Sequence, residues 1–247
     1  MSEELPTIFY LLHKKFPLMP LFDFLYFWQD VFFAMLAAAA LFIIIFFAQK
    51  KIKQIPGRLQ AVLESFVSYA DELMQAVAGP RGRKYLPFVG TLFIYVAVLN
   101  LIGVLPLCKS PTANLSTTIA LSLCVFFYVQ YAGFKELGVK LYAWHFFGKM
   151  PRFIMLTFII PVFILFIHII SEVLRPFTLA LRLRSNIWGD ELLFSTFAQL
   201  GLKGVPLFLF SSLLVIVGAL AQAAVFAILT MVYFALVLGE TEEKREV

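Results

Sequence analysis

"PRFIMLTFIIPVFILFIHIISEVLRPFTLALRLRSNIWGDELLFSTFA", residues 151–198, decides how this chain folds. As one α-helix these 48 residues would run about 72 Å, against a hydrocarbon core roughly 30 Å thick. The stretch is therefore either a hairpin or one steeply tilted or kinked helix. A hairpin needs a turn signal near its middle. The breakers there are Pro161 and Pro176, which a helix accommodates as kinks. The cluster Ser195, Thr196, Gln199, Gly201, Lys203 and Gly204 is better turn material. A second long apolar run, 204–239, follows it and would span about 54 Å as a helix. The spacing predicts two long, tilted, antiparallel helices joined near Gly201.

Composition agrees with a membrane setting. The chain has 247 residues, 62% hydrophobic and 14% charged, with 29 phenylalanines and a mean hydropathy of +0.91. Soluble chains average about 45–50% apolar and 25% charged. Long unbroken apolar runs favour helices over a barrel. The expected fold is an all-α integral membrane protein with about five membrane helices, the last two long and steeply tilted, plus a surface amphipathic helix. A single membrane domain, 1–247, is expected: a first span at 24–48, a surface helix at 56–79, second and third spans at 86–107 and 115–134, and long helices at 151–198 and 204–239. In the surface helix Leu59, Val62, Leu63, Phe66, Val67, Ala70, Leu73 and Val77 recur at helical spacing, between Pro56-Gly57 and Gly79-Pro80. Such a helix lies on a membrane surface or against a partner. Cys108 and Cys124 have no metal-type spacing and read as apolar fillers. The N-terminus, with Glu3 and Glu4 before a short apolar patch, does not read as a cleaved signal.

Charge orients the spans. With five crossings, Lys14, Lys15, Lys109 and Lys203 share one side. Lys50, Lys51, Lys53, Arg58, Arg81, Arg83, Lys84, Lys135, Lys140, Lys149, Arg152, Lys244 and Arg245 share the other. The positive-inside rule assigns the second side to the cytoplasm or its equivalent. The net charge of +5 then needs no nucleic-acid partner. No internal repeat is visible, which disfavours the common secondary-transporter plan. No phosphate-binding glycine loop is visible either, so ATP chemistry is not expected on this chain.

Charges inside a span are costly and mark a functional path by default. His168, Arg175 and Arg182 are seven apart and stack on one helical face with 20° drift. Glu172 lies within pairing reach of His168 and Arg175. Arg182 has no carboxylate at three or four positions, which points to a charge supplied by another molecule. Asn186 shares its face. Arg184 lies about 200° round from Arg182 and shares a face with Glu191. On the last helix Ser211, Gly218, Gln222 and Tyr233 form a polar stripe. Small neighbours, Ala219, Ala221, Ala223 and Ala224, let another helix approach closely.

Arg175-Pro176, then Leu179, Leu181, Arg182, Leu183, Asn186 and Glu191, resembles the signature of subunit a of the F-type ATP synthase. "AQAAVFAILTMVYFAL", anchored on Gln222, Phe226, Thr230 and Tyr233, is similar to that family's final helix. "PGRLQAVLESFVSYADE", "VLNLIGVLP" and "PTANLSTTIALSL" resemble its surface helix and its second and third spans. The resemblance covers roughly 56–238. It implies an ion-translocating, most simply proton-translocating, stator subunit of a proton-transporting two-sector ATPase. The implied partners are a ring of c subunits, each with a mid-membrane carboxyl, and peripheral-stalk b subunits. Arg182 would be the essential charge, with Gln222 and Asn186 beside it. Glu191, Asp190, Glu172, His168 and Arg175 would line two half-channels. No cofactor or metal is implied. The expected location is a multi-pass position in a bacterial inner membrane, or a plastid or mitochondrial equivalent.

The chain departs from the family pattern at four places. Arg184 stands where Phe is usual. His168 stands where many relatives have Glu, with Glu172 one turn later. Val215 and Asn114 stand where ionisable residues are found. The alternative reading is a stand-alone ion channel or secondary transporter, and a further one is a structural anchor, which leaves Arg182 without a reason.

Overall fold

The computed structural model describes residues 28–49, 57–104, 110–138, 156–200 and 204–243. Helix α1 is Gln29–Gln49, α2 Arg58–Gly82, α3 Leu86–Ile102, α4 Leu115–Leu137, α5 Leu156–Gln199 and α6 Val205–Glu243, with short 3-10 turns at Arg83–Tyr85 and Pro111–Ala113. Among the described residues there is no strand. By length and composition four helical stretches can cross a membrane: Gln29–Phe47, part of Gln60–Ile102, Leu115–Glu136 and Val205–Leu238. The chain is an all-α, multi-pass membrane protein. All backbone polar groups in lipid must bond internally, which helices alone achieve here.

Neither long region is a hairpin. α5 holds 44 residues in one helix through Pro161 and Pro176, and α6 holds 39. At 1.5 Å per residue they run about 66 Å and 58 Å. The expected joint at Gly201 and Lys203 lies outside the described residues, as do the span ends at 24–27, 105–107 and 151–155, and Cys108. Cys124 is a free, exposed thiol.

α6 is the hub. α2, α3, α4 and α5 all pack against it, whereas α1 touches chiefly α3 and the Pro111–Ala113 turn. Small residues make the close approach possible: Ala219 and Ala223 are fully buried. Larger ones fill the space beyond. Tyr85 stacks on Phe234 with ring centroids 4.6 Å apart, and Phe88 on Tyr128 at 4.0 Å, locking α3, α4 and α6 around one core. Between membrane helices such packing, rather than water exclusion, supplies the attraction.

The surface helix ends differently from its neighbours. Gly79 takes φ +71°, a conformation other residues rarely adopt, directly before Pro80. Upstream of this joint Val62, Leu63 and Val67 are exposed, while Met74 and Ala78 are buried in the core. Below it Lys84 pairs with Glu136 at 2.9 Å, tying the start of α3 to the end of α4.

A buried polar knot closes the opposite end. Asn100 donates to the Ala219 carbonyl at 3.3 Å and accepts from Thr112 at 2.8 Å. Ser110 donates to the Leu99 carbonyl at 3.0 Å. Asn114 donates to Asp30 of α1. Replacing Asn100 with Leu strips the α3–α6 bond and leaves the Thr112 hydroxyl with Ser110 alone. We expect a loss of about 1 kcal/mol, read as a lower thermal-unfolding midpoint of the purified protein in detergent.

Candidate functional site: the α5–α6 seam

Three contacts fix how α5 and α6 lie side by side. Phe194 meets Phe208 with ring centroids 5.1 Å apart. A Cβ on Gly218 would sit 3.9 Å from Nδ2 of Asn186. The Tyr233 hydroxyl reaches the Arg175 carbonyl at 3.5 Å. Residue numbers rise on one helix as they fall on the other, so the pair is antiparallel. One turn down α5 from Asn186 is Arg182, and one turn up α6 from Gly218 is Gln222. Arg182 and Gln222 therefore stand at the same level of the seam.

Their surroundings differ. Gln222 is buried, as are Ser211, Ala219 and Ala223 of the same helix. The polar stripe read on α6 thus faces inward, and at Gly218 and Tyr233 it meets α5. Arg182 instead lies exposed on the flank of α5. Among the described residues it has no ion pair or hydrogen-bond partner. Its neighbours Leu179 and Leu183 fill the core between α5 and α6, which leaves position 182 pointing past the seam rather than into it.

Arg175, two turns earlier on nominally the same face, has a different setting. Its Nη1 pairs with Oε1 of Glu172 at 2.5 Å, and its guanidinium lies 5.7 Å over the Tyr233 ring. Oε2 of Glu172 accepts from Gln130 of α4 at 2.8 Å. A helical wheel gives direction about one axis, not what passes there; α6 covers the helix at Arg175 and leaves Arg182 bare. Gln130 was not foreseen from the sequence. Its signal is a lone amide in the aromatic run "FFYVQYAGF".

Beyond Arg182, Asn186 is half-buried and its Nδ2 has no hydrogen-bond partner; the same holds for Oδ2 of half-buried Asp190, one turn on. Glu191 is half-buried too. Arg184 is half-buried with no ion pair among the described residues, and it does not stack on Trp188, which is exposed. His168 lies on α5, but its side chain is outside the described set. Asp30, with a buried Oδ1 lacking a partner, is a further carboxylate that spacing on α1 gave no reason to single out.

Similarity to known proteins bears on this seam. The family model described as ATP synthase A chain matches residues 31–235. A protein named ATP synthase subunit a from Protochlamydia amoebophila is 35% identical over 250 residues, covering 98% of this chain and 92% of its own. One of that name from a Sulfurihydrogenibium species is 38% identical, covering 75% and 85%. Another, from Moorella thermoacetica, is 36% identical, covering 77% and 82%.

The register is open to a direct check. With native cysteines replaced by Ser, Asn186→Cys and Gly218→Cys should form a disulfide on mild oxidation in membranes. The pair Asn186→Cys and Phe226→Cys, displaced by about 12 Å along α6, should not, because a disulfide needs Cα atoms within about 7 Å.

Proposed function

The chain belongs to the ATP synthase A chain family, and on that premise we propose that it is the proton-translocating stator subunit of a rotary ATP synthase. The observation that carries the reading is Arg182. It is a permanent cation in a chain of membrane helices, level with buried Gln222, exposed on the flank of α5 and without a partner among the described residues. An arginine at mid-membrane costs roughly 2.5–3.5 kcal/mol on insertion scales. That cost is offset when a carboxylate from another molecule docks beside it. A ring of c subunits, each with one mid-membrane carboxyl, fits this description, and b subunits of the peripheral stalk would hold the chain against rotation.

Each carboxylate would be neutralised by a proton arriving through one half-channel, carried round through lipid, and deprotonated at the other. Arg182 would stabilise the charged form in transit and bar protons from leaking straight across. Each charge crossing is worth about 2.3 kcal/mol per 100 mV. Gln222 and Asn186 would complete the polar lining beside Arg182. Residues after Arg182 lie toward the outer side, since the positive-inside rule starts α5 in the cytoplasm. Asp190 and Glu191 would therefore serve the outer half-channel. The unpaired buried atoms of Asn186 and Asp190 favour this, because a water path supplies the missing partners. A bacterial inner membrane is the proposed location. The chain would contribute the ion path, and other subunits the ATP chemistry.

Two substitutions test the reading in membrane vesicles holding the assembled complex. Arg182→Ala should abolish ATP-driven proton pumping; normal pumping would end this account. Arg184→Phe should keep coupled pumping, within a few-fold of the parent rate. Complete loss with an intact complex would show that the second arginine acts on the ion path.

A further inference from the structure

Glu172, Arg175, Gln130 and Tyr233 meet where α5 carries Pro176. Proline has no N–H, so the Glu172 carbonyl lacks its intrahelical donor and the helix is weakened at this turn. At the same turn three helices are tied together by side chains. Gln130 holds Glu172 from α4, Arg175 pairs with Glu172 within α5, and Tyr233 of α6 lies under the guanidinium with its hydroxyl on the Arg175 carbonyl. Glu172 is 7% exposed, and both of its carboxylate oxygens are taken. The small cleft that adjoins the cluster is otherwise walled by Val125, Phe126, Val129 and Pro176. Its one added hydroxyl, Ser122, donates to the Ile119 carbonyl. An apolar cleft beside a fully engaged carboxylate is poor ground for passing protons and good ground for holding helices.

We propose that this four-residue cluster is a clamp that positions Arg182: Glu172, Arg175, Gln130 and Tyr233 are positioning residues that fix α5 against α4 and α6 at its proline turn, rather than proton carriers. Arg182 lies seven residues, about 10.5 Å, beyond Arg175, so the direction of α5 after the turn sets where its guanidinium stands. The inference rests on Arg182 as the ion-path charge. Its geometric part can be measured without that reading.

The test combines pumping with cross-linking. In assembled complexes, Arg175→Gln leaves the buried Glu172 carboxylate without its counter-charge, held by Gln130, which strains the turn. The rate of proton pumping per assembled complex should fall about tenfold or more, since a misplacement of about 1 Å can cost on the order of a hundredfold in rate. In the Asn186→Cys, Gly218→Cys background, disulfide formation should slow several-fold. Adding Glu172→Gln removes the stranded charge and should restore both readouts to within about twofold of the parent. If the double variant pumps no better than the worse single one while cross-linking is unchanged, the pair carries protons and the clamp is wrong. A fall only in the amount of assembled complex, with pumping per complex intact, would also overturn it, because that is the mark of a purely structural pair. If Arg182→Ala pumps normally while cross-linking still follows the clamp, the clamp stands and the role given to Arg182 falls.

Discussion

Everything near the seam depends on one interaction, the close antiparallel packing of α5 on α6. In lipid there is no water-driven attraction between helices, so contact must come from fit and from polar groups that find each other. Gly218 lies beside Asn186 across the seam, and Leu179 and Leu183 of α5 are buried in the shared core. Once the two helices are that close, the register is set by which side chains occupy the gap. Phe194 with Phe208 fixes one end and Arg175 with Tyr233 the other. Arg182 and Gln222 are level because those ends are fixed, not because they bond to each other.

The same packing separates two arginines that share a helical face. Arg175 is spent inside the protein, on Glu172 and Tyr233. Arg182 faces outward with its charge uncommitted. A membrane protein that keeps one cation internally balanced and leaves another exposed divides holding from binding along a single helix. The proposed clamp and the proposed ring contact are the two halves of that division.

Much of this was legible in the sequence. Run lengths and the absence of a turn signal near Pro161 and Pro176 gave the two long helices, and the offset of Ser211, Gly218 and Gln222 gave the stripe that faces inward. The solitary status of Arg182 also followed, since i±3 and i±4 spacing is enough to exclude a partner within its own helix. What spacing could not give is contact between helices far apart in the chain. Gln130 reaches Glu172 across 42 residues and Asn114 reaches Asp30 across 84. Nothing periodic links those positions. Exposure was equally hidden: a wheel puts Arg175 and Arg182 within 20° of each other, but only the path of α6 decides which is covered.

The position of the hub in chain order has a consequence for biogenesis. α6 follows the other five helices, yet four of them pack against it. Each must enter the bilayer and wait with its inner face against lipid or against translocation machinery until α6 is made. Asn100 waits without the Ala219 carbonyl, and Arg175 without Tyr233. The half-made chain is therefore most exposed to recognition and degradation just before its last helix arrives, and a truncation there would leave α4 and α5 against each other but the remaining spans without the helix that gathers them.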